Sequence, residues 1–454
     1  MSRKETHRSH DDLALTGSAS VNAKITEKTH TSTSLTALVV TICWFCILSE
    51  GYDLGIYGAV LPKLLEYSEW SMTPVQAGAI GSYALIGMLL GAVLVGTLTD
   101  LIGRKWTLIS CLTLFSVFMG FAAMATSPEM FGLHRFIGGL GLGGVIPTVS
   151  ALTIEYSPEK RRSLMYAIMY TGYPLGGVLG AILSIYLLND FGWRFMFWLG
   201  VLPILAVPFI IKFLPESINF LMARNRKEEA EKIARRYQIS LESIDSTEKE
   251  SASTANKLTA LFTLFSKQHI RATLLFWIAF FNGLLMIYGL NTWLPKMMIK
   301  AGYPLGSSLS FLLMLNFTAA IGSLLAGVAA DRWGSKRVIT LSYILAAVCI
   351  ALLSIKSSLL AVYALVGVAG FGSIGTTLIL NAYISKYFSS TTRATALGWA
   401  LGFGRLGAIS GPILGGLLMS WQLDQAWSFY TFAIPGLIAS LAVFLIPKNQ
   451  EKLI

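Results

Sequence analysis

The chain has 454 residues, of which 54% are hydrophobic and only 13% charged, too little polar surface to cover a soluble fold of this size. The formal net charge of +11 does not point to nucleic acid, because basic residues kept on cytoplasmic loops account for it. Long unbroken apolar runs exclude a β-barrel, whose strands are about half as long and alternate in polarity.

In chain order, residues 1–34 are polar and Ser/Thr-rich, read as a disordered cytoplasmic tail with no signal peptide. Six apolar spans follow, at 35–62, 74–99, 105–126, 129–153, 163–188 and 193–213, each near the ~20 residues that cross a bilayer as a helix. Residues 214–270 are too charged to enter the membrane and form a cytoplasmic linker. One amphipathic helix is predicted there, from about Ser217 to Tyr237, where Glu228, Glu229 and Glu231 mix with Lys227, Lys232, Arg235 and Arg236 at one-turn spacing. Six more spans are predicted at 271–296, 306–330, 336–354, 358–384, 393–420 and 426–446, with 448–454 as a cytoplasmic tail. The expected architecture is an all-α membrane protein of twelve transmembrane helices in two six-helix halves, 35–213 and 271–447.

With both termini cytoplasmic, only Lys63, Arg194, Lys296, Lys300 and Lys356 fall outside. Arg135 and Arg405 lie within spans, and the rest of the 35 Lys and Arg sit inside. The halves repeat. Gly96, Asp100, Gly103 and Lys105 map at a constant offset onto Gly327, Asp331, Gly334 and Lys336, and the same offset maps Arg162 to Arg393, Gly176 to Gly407 and Gly180 to Gly411. Parallel repeats of this kind place substrate between the halves near the midplane. Each half contributes to one central cavity, so one chain can suffice.

The stretch from Gly96 to Lys105 resembles the loop 2–3 signature of the major facilitator superfamily, with Ser335 in the second copy where the first has Arg104. Arg135-x-x-x-Gly139-x-Gly141-x-Gly143 resembles its fourth-span signature, and Glu155-x-x-Pro158-x-x-x-Arg162 with Pro215-Glu216-Ser217 completes the pattern. Within that superfamily, Glu50-Gly51-Tyr52-Asp53, Asn381-Ala382 and the run Arg393 to Pro412 are similar to the aromatic acid:proton symporter family, although Glu50 stands where that family usually has Asp. The resemblance implies rocker-switch import of an organic carboxylate, such as a benzoate or hydroxybenzoate, across the cell inner membrane and coupled to protons, by a chain that works as a monomer. Other cargoes of the same fold are a sugar, a non-aromatic acid or an exported drug; a transporter-like sensor that does not translocate is the reading from another class.

Ionisable residues inside a bilayer are costly and face cavities or one another. Glu50 and Asp53 share a face of the first span and, with Arg135, are the proton-coupling candidates. Arg405, in the eleventh span, either grips a substrate carboxylate through two parallel hydrogen bonds or pairs with a carboxylate of the first span. Arg135 either assists coupling or ties the fourth span to the first. Tyr57, Tyr288, Trp293, Trp399 and Phe403 are candidate aromatic walls, each weighed against simple packing. Asn291 and Asn381, with Asn282, are candidates for bonding a ring hydroxyl or for joining helices. Asp100, Arg104, Glu155, Arg162, Asp331 and Arg393 lie at cytoplasmic helix ends as a conformational latch. His134 and the cysteines Cys43, Cys46, Cys111 and Cys349 read as interface and core packing. An enzyme, a metal and a cofactor are not expected; the partners are a small organic anion, the proton and the lipid bilayer.

Overall fold

The structure is a computed structural model that describes residues 33–237, 261–421 and 423–447. The expected tails, apart from Thr33 and Ser34, and the middle of the linker lie outside the described residues. Among the described residues the fold is entirely helical, because in hydrocarbon every backbone N–H and C=O must be satisfied within its own segment.

The first half comprises α1 (Thr33–Leu65), α2 (Pro74–Ile102), α3 (Arg104–Ala123), α4 (Pro128–Glu155), α5 (Arg162–Tyr170), α6 (Gly172–Leu199) and α7 (Val207–Phe213). Two short helices, α8 (Ile218–Ala223) and α9 (Lys227–Tyr237), occupy the start of the linker. The second half comprises α10 (Ile270–Lys300), α11 (Leu305–Trp333), α12 (Ser335–Leu352), α13 (Leu359–Phe371), α14 (Ile374–Tyr387), α15 (Ser390–Ser420) and α16 (Gln425–Leu445). Among the described residues eleven helices are long and apolar enough to cross a membrane, and the segment Leu202–Phe213 is apolar but shorter. Large apolar side chains such as Val93, Tyr186, Leu205 and Leu360 stay exposed around the outside, as lipid contact requires.

The fifth and tenth predicted spans are broken, each for a local reason, and a further break separates the fifth from the sixth. The fifth span splits at Thr171 because Pro174 has no N–H to offer the Tyr170 carbonyl. Helical geometry is interrupted again at Gly192, whose φ of 76° suits glycine. Beyond that break, Arg194 donates to the Ala125 carbonyl at 3.0 Å, and at the far end Lys105 Nζ donates to the Ile211 carbonyl at 2.6 Å. The segment 193–213 therefore runs the whole length of α3. The tenth span divides into α13 and α14 at Gly372–Ser373, within a glycine-rich stretch.

The single amphipathic helix expected from Ser217 to Tyr237 is corrected to two helices. Asn225 takes a left-handed φ of 56°, Arg226 N–H bonds the Leu221 carbonyl at 2.9 Å and Asn225 N–H bonds Met222 at 3.0 Å, a Schellman stop. The expected one-turn charge pairs do form on α9 and just before it: Arg226–Glu229 at 2.6 Å and Glu231–Arg235 at 3.2 Å.

The duplication seen in the sequence is visible in the packing. α1 lies along α6 as α10 lies along α15, and α2 lies along α4 as α11 lies along α13 and α14. Gly103 and Gly334, equivalent in the repeat, hold matching left-handed turns with φ of 93° and 87°. The halves meet where α2 packs on α15, α6 on α11 and α1 on α10. At one end they are closed: Gly78 packs on Gly416, and Ser82 Oγ donates to the Ile409 carbonyl at 2.6 Å. At the other end, which carries the linker, Gly96, Gly398 and Gly402 each face space that is empty to 4 Å. The central cavity opens toward that end.

Candidate functional site

Packing of small residues places the first-span carboxylates at the centre. Gly55 of α1 meets Gly177 of α6 so closely that a Cβ on Gly55 would lie 2.9 Å from the Gly177 Cα. This approach draws Glu50 and Asp53 between the helices, where both are buried. Asp53 pairs with Arg135 of α4, both side chains being at most 3% exposed. The Arg135 guanidinium also lies over the Tyr57 ring at 5.6 Å and the Phe197 ring at 5.8 Å, a desolvated cation–π arrangement. Arg135 thus ties α4 to α1, and Asp53 already has its counter-charge. Glu50, one turn away, is different: neither carboxylate oxygen has a hydrogen-bond partner and both are buried.

Arg405 of α15 lies within electrostatic reach of Glu50, Tyr170, Tyr173 and Tyr288. No carboxylate among the described residues comes within 4.0 Å of its guanidinium, and the side chain is only partly buried because it faces the cavity. Above it, Tyr173 and Tyr288 form the boundary of an inner chamber lined further by Tyr57, Arg135, Asn291, Thr292 and Asn316. Below, toward the open end, Tyr166, Tyr170 and Tyr173 stack as a ladder, with ring centroids 6.1 and 6.2 Å apart and nearly parallel planes. Arg405 therefore sits at a threshold between an aromatic approach and a polar chamber.

The other sequence-predicted residues fall in several places. Tyr57 keeps its ring on the chamber wall while its hydroxyl donates to the Ala77 carbonyl at 2.5 Å. Asn291 lines the chamber and accepts from Asn316 Nδ2 at 3.0 Å. Trp293 is not on the chamber wall: it is fully buried and its indole N–H donates to the Pro412 carbonyl at 2.8 Å, fastening α10 to α15 at the closed end. Trp399 and Phe403 stack on Trp277, at 5.7 and 4.0 Å, away from the chamber. Asn381 of α14 keeps a buried Oδ1 without a partner. Asn282 bonds the Ile278 carbonyl of its own helix at 2.9 Å. His134 packs against Phe118 and Phe121, and the four cysteines are buried free thiols.

The helix-end residues cluster at the open end. Glu155 accepts from Arg104, from Ser217 Oγ at 2.7 Å and from Asn219 N–H at 3.1 Å. Glu216 accepts from the backbone N–H of Lys105 at 3.0 Å and of Ser217 at 2.8 Å, capping the start of α3. Burial raises the Glu216 carboxyl above its ordinary range, and these amides and the Lys105 charge oppose that shift. Arg224 donates to the Asp100 carbonyl at 2.6 Å. In the second half Asp331 meets Lys386 at 3.5 Å on the surface. Among the described residues the Asp100, Arg162 and Arg393 side chains make no ion pair, and no ion pair joins one half to the other.

Tyr170, Tyr173, Thr292 and Asn316 are candidate site residues that the sequence reading did not single out. A polar residue inside an apolar span was the available signal for Asn316; the tyrosines look like ordinary interface aromatics until the halves are brought together.

The Major Facilitator Superfamily profile matches residues 43–321 and 306–453. The chain is 38% identical to the benzoate transport protein of Acinetobacter baylyi, covering 91% of this chain and 90% of that one. It is 35% identical to the gentisate transporter of Corynebacterium glutamicum, over 91% and 88%. It is 32% identical to the 4-hydroxybenzoate transporter PcaK of Pseudomonas aeruginosa, over 90% and 91%. Among solved structures, the partially occluded inward-open xylose transporter XylE of E. coli superposes with a TM-score of 0.73 at 17% identity, covering 91% of this chain and all of that one, and shares the fold. With the repeated six-helix packing and the central charged cavity, these likenesses lead to one conclusion: the chain is a multi-pass membrane transporter, not an enzyme, and it belongs to the major facilitator superfamily, among relatives that carry aromatic acids.

Proposed function

We propose that this chain is a proton-coupled symporter that imports an aromatic carboxylate by alternating access across the cell inner membrane. Twelve crossings and two cytoplasmic termini complete the reading, and one chain is the working unit. The sixth crossing is segment 193–213, which matches α3 from end to end despite its break into short helices.

Arg405 is the observation that carries the proposal. A partly buried guanidinium with no carboxylate within ion-pair distance among the described residues is costly, and an anionic substrate relieves that cost with two parallel hydrogen bonds. The tyrosines around it suit an aromatic ring, whose preferred contacts are stacked or edge-on. A neutral sugar would leave the arginine uncompensated. The relatives named for benzoate, gentisate and 4-hydroxybenzoate support the same cargo class.

Coupling follows from Glu50. A buried carboxylate with both oxygens unbonded is expensive when charged, so it takes up a proton or an electrostatic partner. While the substrate occupies Arg405, the partner is lost and the proton is held; when substrate leaves, Arg405 becomes available to Glu50 and the proton departs. Asp53, held by Arg135, couples the same event to the contact between α1 and α4. Asp100, Arg162, Asp331 and Arg393, exposed at the open end, then form latches between the halves when that end closes.

The test is uptake of labelled benzoate, hydroxybenzoates, nicotinate, a sugar acid and a neutral sugar into proteoliposomes, with and without an inward proton gradient. Gradient-stimulated uptake of an aromatic acid, lost in Arg405→Ala, is the expected result. Transport of the neutral sugar alone would overturn the cargo and the anchor together.

A further inference from the structure

The ion pair of Asp53 and Arg135 has two sides, and only one of them faces the cavity. On that side Arg135 lines the inner chamber. On the other the pair lies near the closed end, because Arg135 is seven residues from the start of α4 at Pro128, about 10 Å along the helix. Water entering from that end would reach a chamber that already opens toward the other. What stands in its way is a block of rings. One turn closer to the surface than Arg135, Phe131 is fully buried, with its ring centroid 5.0 Å from Phe197 and 6.3 Å from Tyr57, the two rings that hold the guanidinium. Outside Phe131, Trp70 from the α1–α2 turn and Trp193 of α6 close over it at 5.7 and 5.6 Å and meet each other at 5.0 Å. The turn is wound tightly around Trp70: the Trp70 and Ser71 N–H groups both bond the Tyr67 carbonyl at 3.2 Å, and Ser71 takes a left-handed φ of 41°. Polar groups at the rim are already used. The Trp70 indole N–H donates to the Thr126 carbonyl at 3.0 Å, and Arg194, 4.3 Å over the Trp193 ring, donates to the Tyr67 hydroxyl at 3.1 Å. Phe131 offers water no polar atom, and an apolar layer of this kind stays dry.

The internal repeat supplies a comparison within the same chain. α2 and α11 start at equivalent positions, Pro74 and Leu305, and so do α4 and α13, at Pro128 and Leu359. At that same offset the second half has Leu284 and Val366 where the first has Asp53 and Arg135. It has Ala301, Val362, Asp424 and Ser428 where the first has Trp70, Phe131, Trp193 and Phe197. The charged pair and the ring block occur together in one half, and neither occupies the equivalent positions of the other. Packing at this end of a six-helix bundle therefore does not by itself call for these rings.

We propose that Trp70, backed by Phe131, is an insulating plug that keeps outside water and protons off the Asp53–Arg135 pair, so that the pair exchanges protons only through the cavity between the halves. The plug is built from the α1–α2 turn, α4 and α6, all in the first half, and it does not part when the halves rock. An ionisable pair that serves coupling has to be reached from one side at a time, and a second route would drain the gradient. This rests on the proton-coupled reading above and adds the barrier that reading requires.

The experiment is proton entry into proteoliposomes that hold a trapped pH dye, under an inward proton gradient, with the membrane potential clamped and no substrate present. In the native chain entry stays close to that of protein-free vesicles. Trp70→Ala is expected to raise it severalfold, and Trp70→Phe, which restores a ring, to return it to the native rate. Gradient-stimulated benzoate uptake should fall in Trp70→Ala as the gradient drains. If Trp70→Ala does not reach the membrane, Trp70→Leu, which stays apolar but leaves a gap, is expected to give an intermediate leak. A packing role alone would lower the unfolding temperature and leave proton entry at the native rate, and that result in the variant measured overturns the inference. Native uptake of benzoate in the same vesicles separates the two readings. Uptake that ignores the gradient removes proton coupling itself; uptake that responds to it, beside a tight Trp70 variant, removes only the plug.

Discussion

Three charged side chains within a few ångströms of the chamber do different work because their partners differ. Asp53 and Arg135 neutralise each other in a buried pair. Removing one partner leaves an unpaired charge, so Arg135→Leu should destabilise the protein by about 3–5 kcal/mol, read as a lowered unfolding temperature in detergent. Asp53→Asn should also lower it, and should abolish gradient stimulation of uptake. Glu50 has no hydrogen-bond partner to lose. Glu50→Gln is therefore expected to keep or raise the unfolding temperature while removing the response of uptake to the proton gradient. A large loss of stability in Glu50→Gln would show that Glu50 is a structural tie and not a proton carrier.

Interruptions in the elements are where the helices acquire function. Pro174 stops the fifth span just where Tyr170 and Tyr173 must both face the cavity, and Gly55 against Gly177 brings α1 and α6 together behind them. Gly55→Val has no room and should cost several kcal/mol or prevent membrane expression, whereas Gly96→Val, facing open space, should be tolerated in this conformation. At the base of the first half, Glu216 joins the linker to the start of α3. Its folded-state carboxyl lies above the ordinary range, so the charged form is the less favoured one in the folded protein. The junction is strongest below the ordinary carboxyl range and weakens as pH rises through the folded-state value. Glu216→Gln keeps an acceptor without the charge; it should flatten that slope and hold the unfolding temperature at neutral pH within about 2 °C of the native chain. Thermal unfolding across a pH series of both proteins measures this.

For the molecule as a whole, the closed contact of α2 with α15 at one end and the open space around Gly96, Gly398 and Gly402 at the other match one of the two states of the proposed alternating access. Gly398→Cys should react with a membrane-impermeant maleimide from the cytoplasmic side only, and a transported aromatic acid should change the rate as the halves rock. The native thiols Cys43, Cys46, Cys111 and Cys349 are buried and should contribute little background. Labelling of Gly398→Cys from the outside alone would reverse the proposed orientation.

Several of these features were legible in the residues alone. Apolar runs of bilayer length mark the spans because lipid tolerates no unsatisfied backbone. A constant offset between Gly96–Lys105 and Gly327–Lys336 marks the duplication, and the rarity of charge inside a span singles out Glu50, Asp53, Arg135 and Arg405. Pairing is another matter. That Asp53 meets Arg135 while Arg405 is left open depends on how α1, α4 and α15 cross, a property of side-chain packing between distant segments. The same applies to the aromatic residues: Trp293 and Tyr57 are equally apolar in sequence, yet one fastens the closed end and the other walls the chamber. Local composition determines which residues must leave water; only the tertiary structure decides which of them face one another, because helix rotation and crossing are set by contacts far apart in the chain.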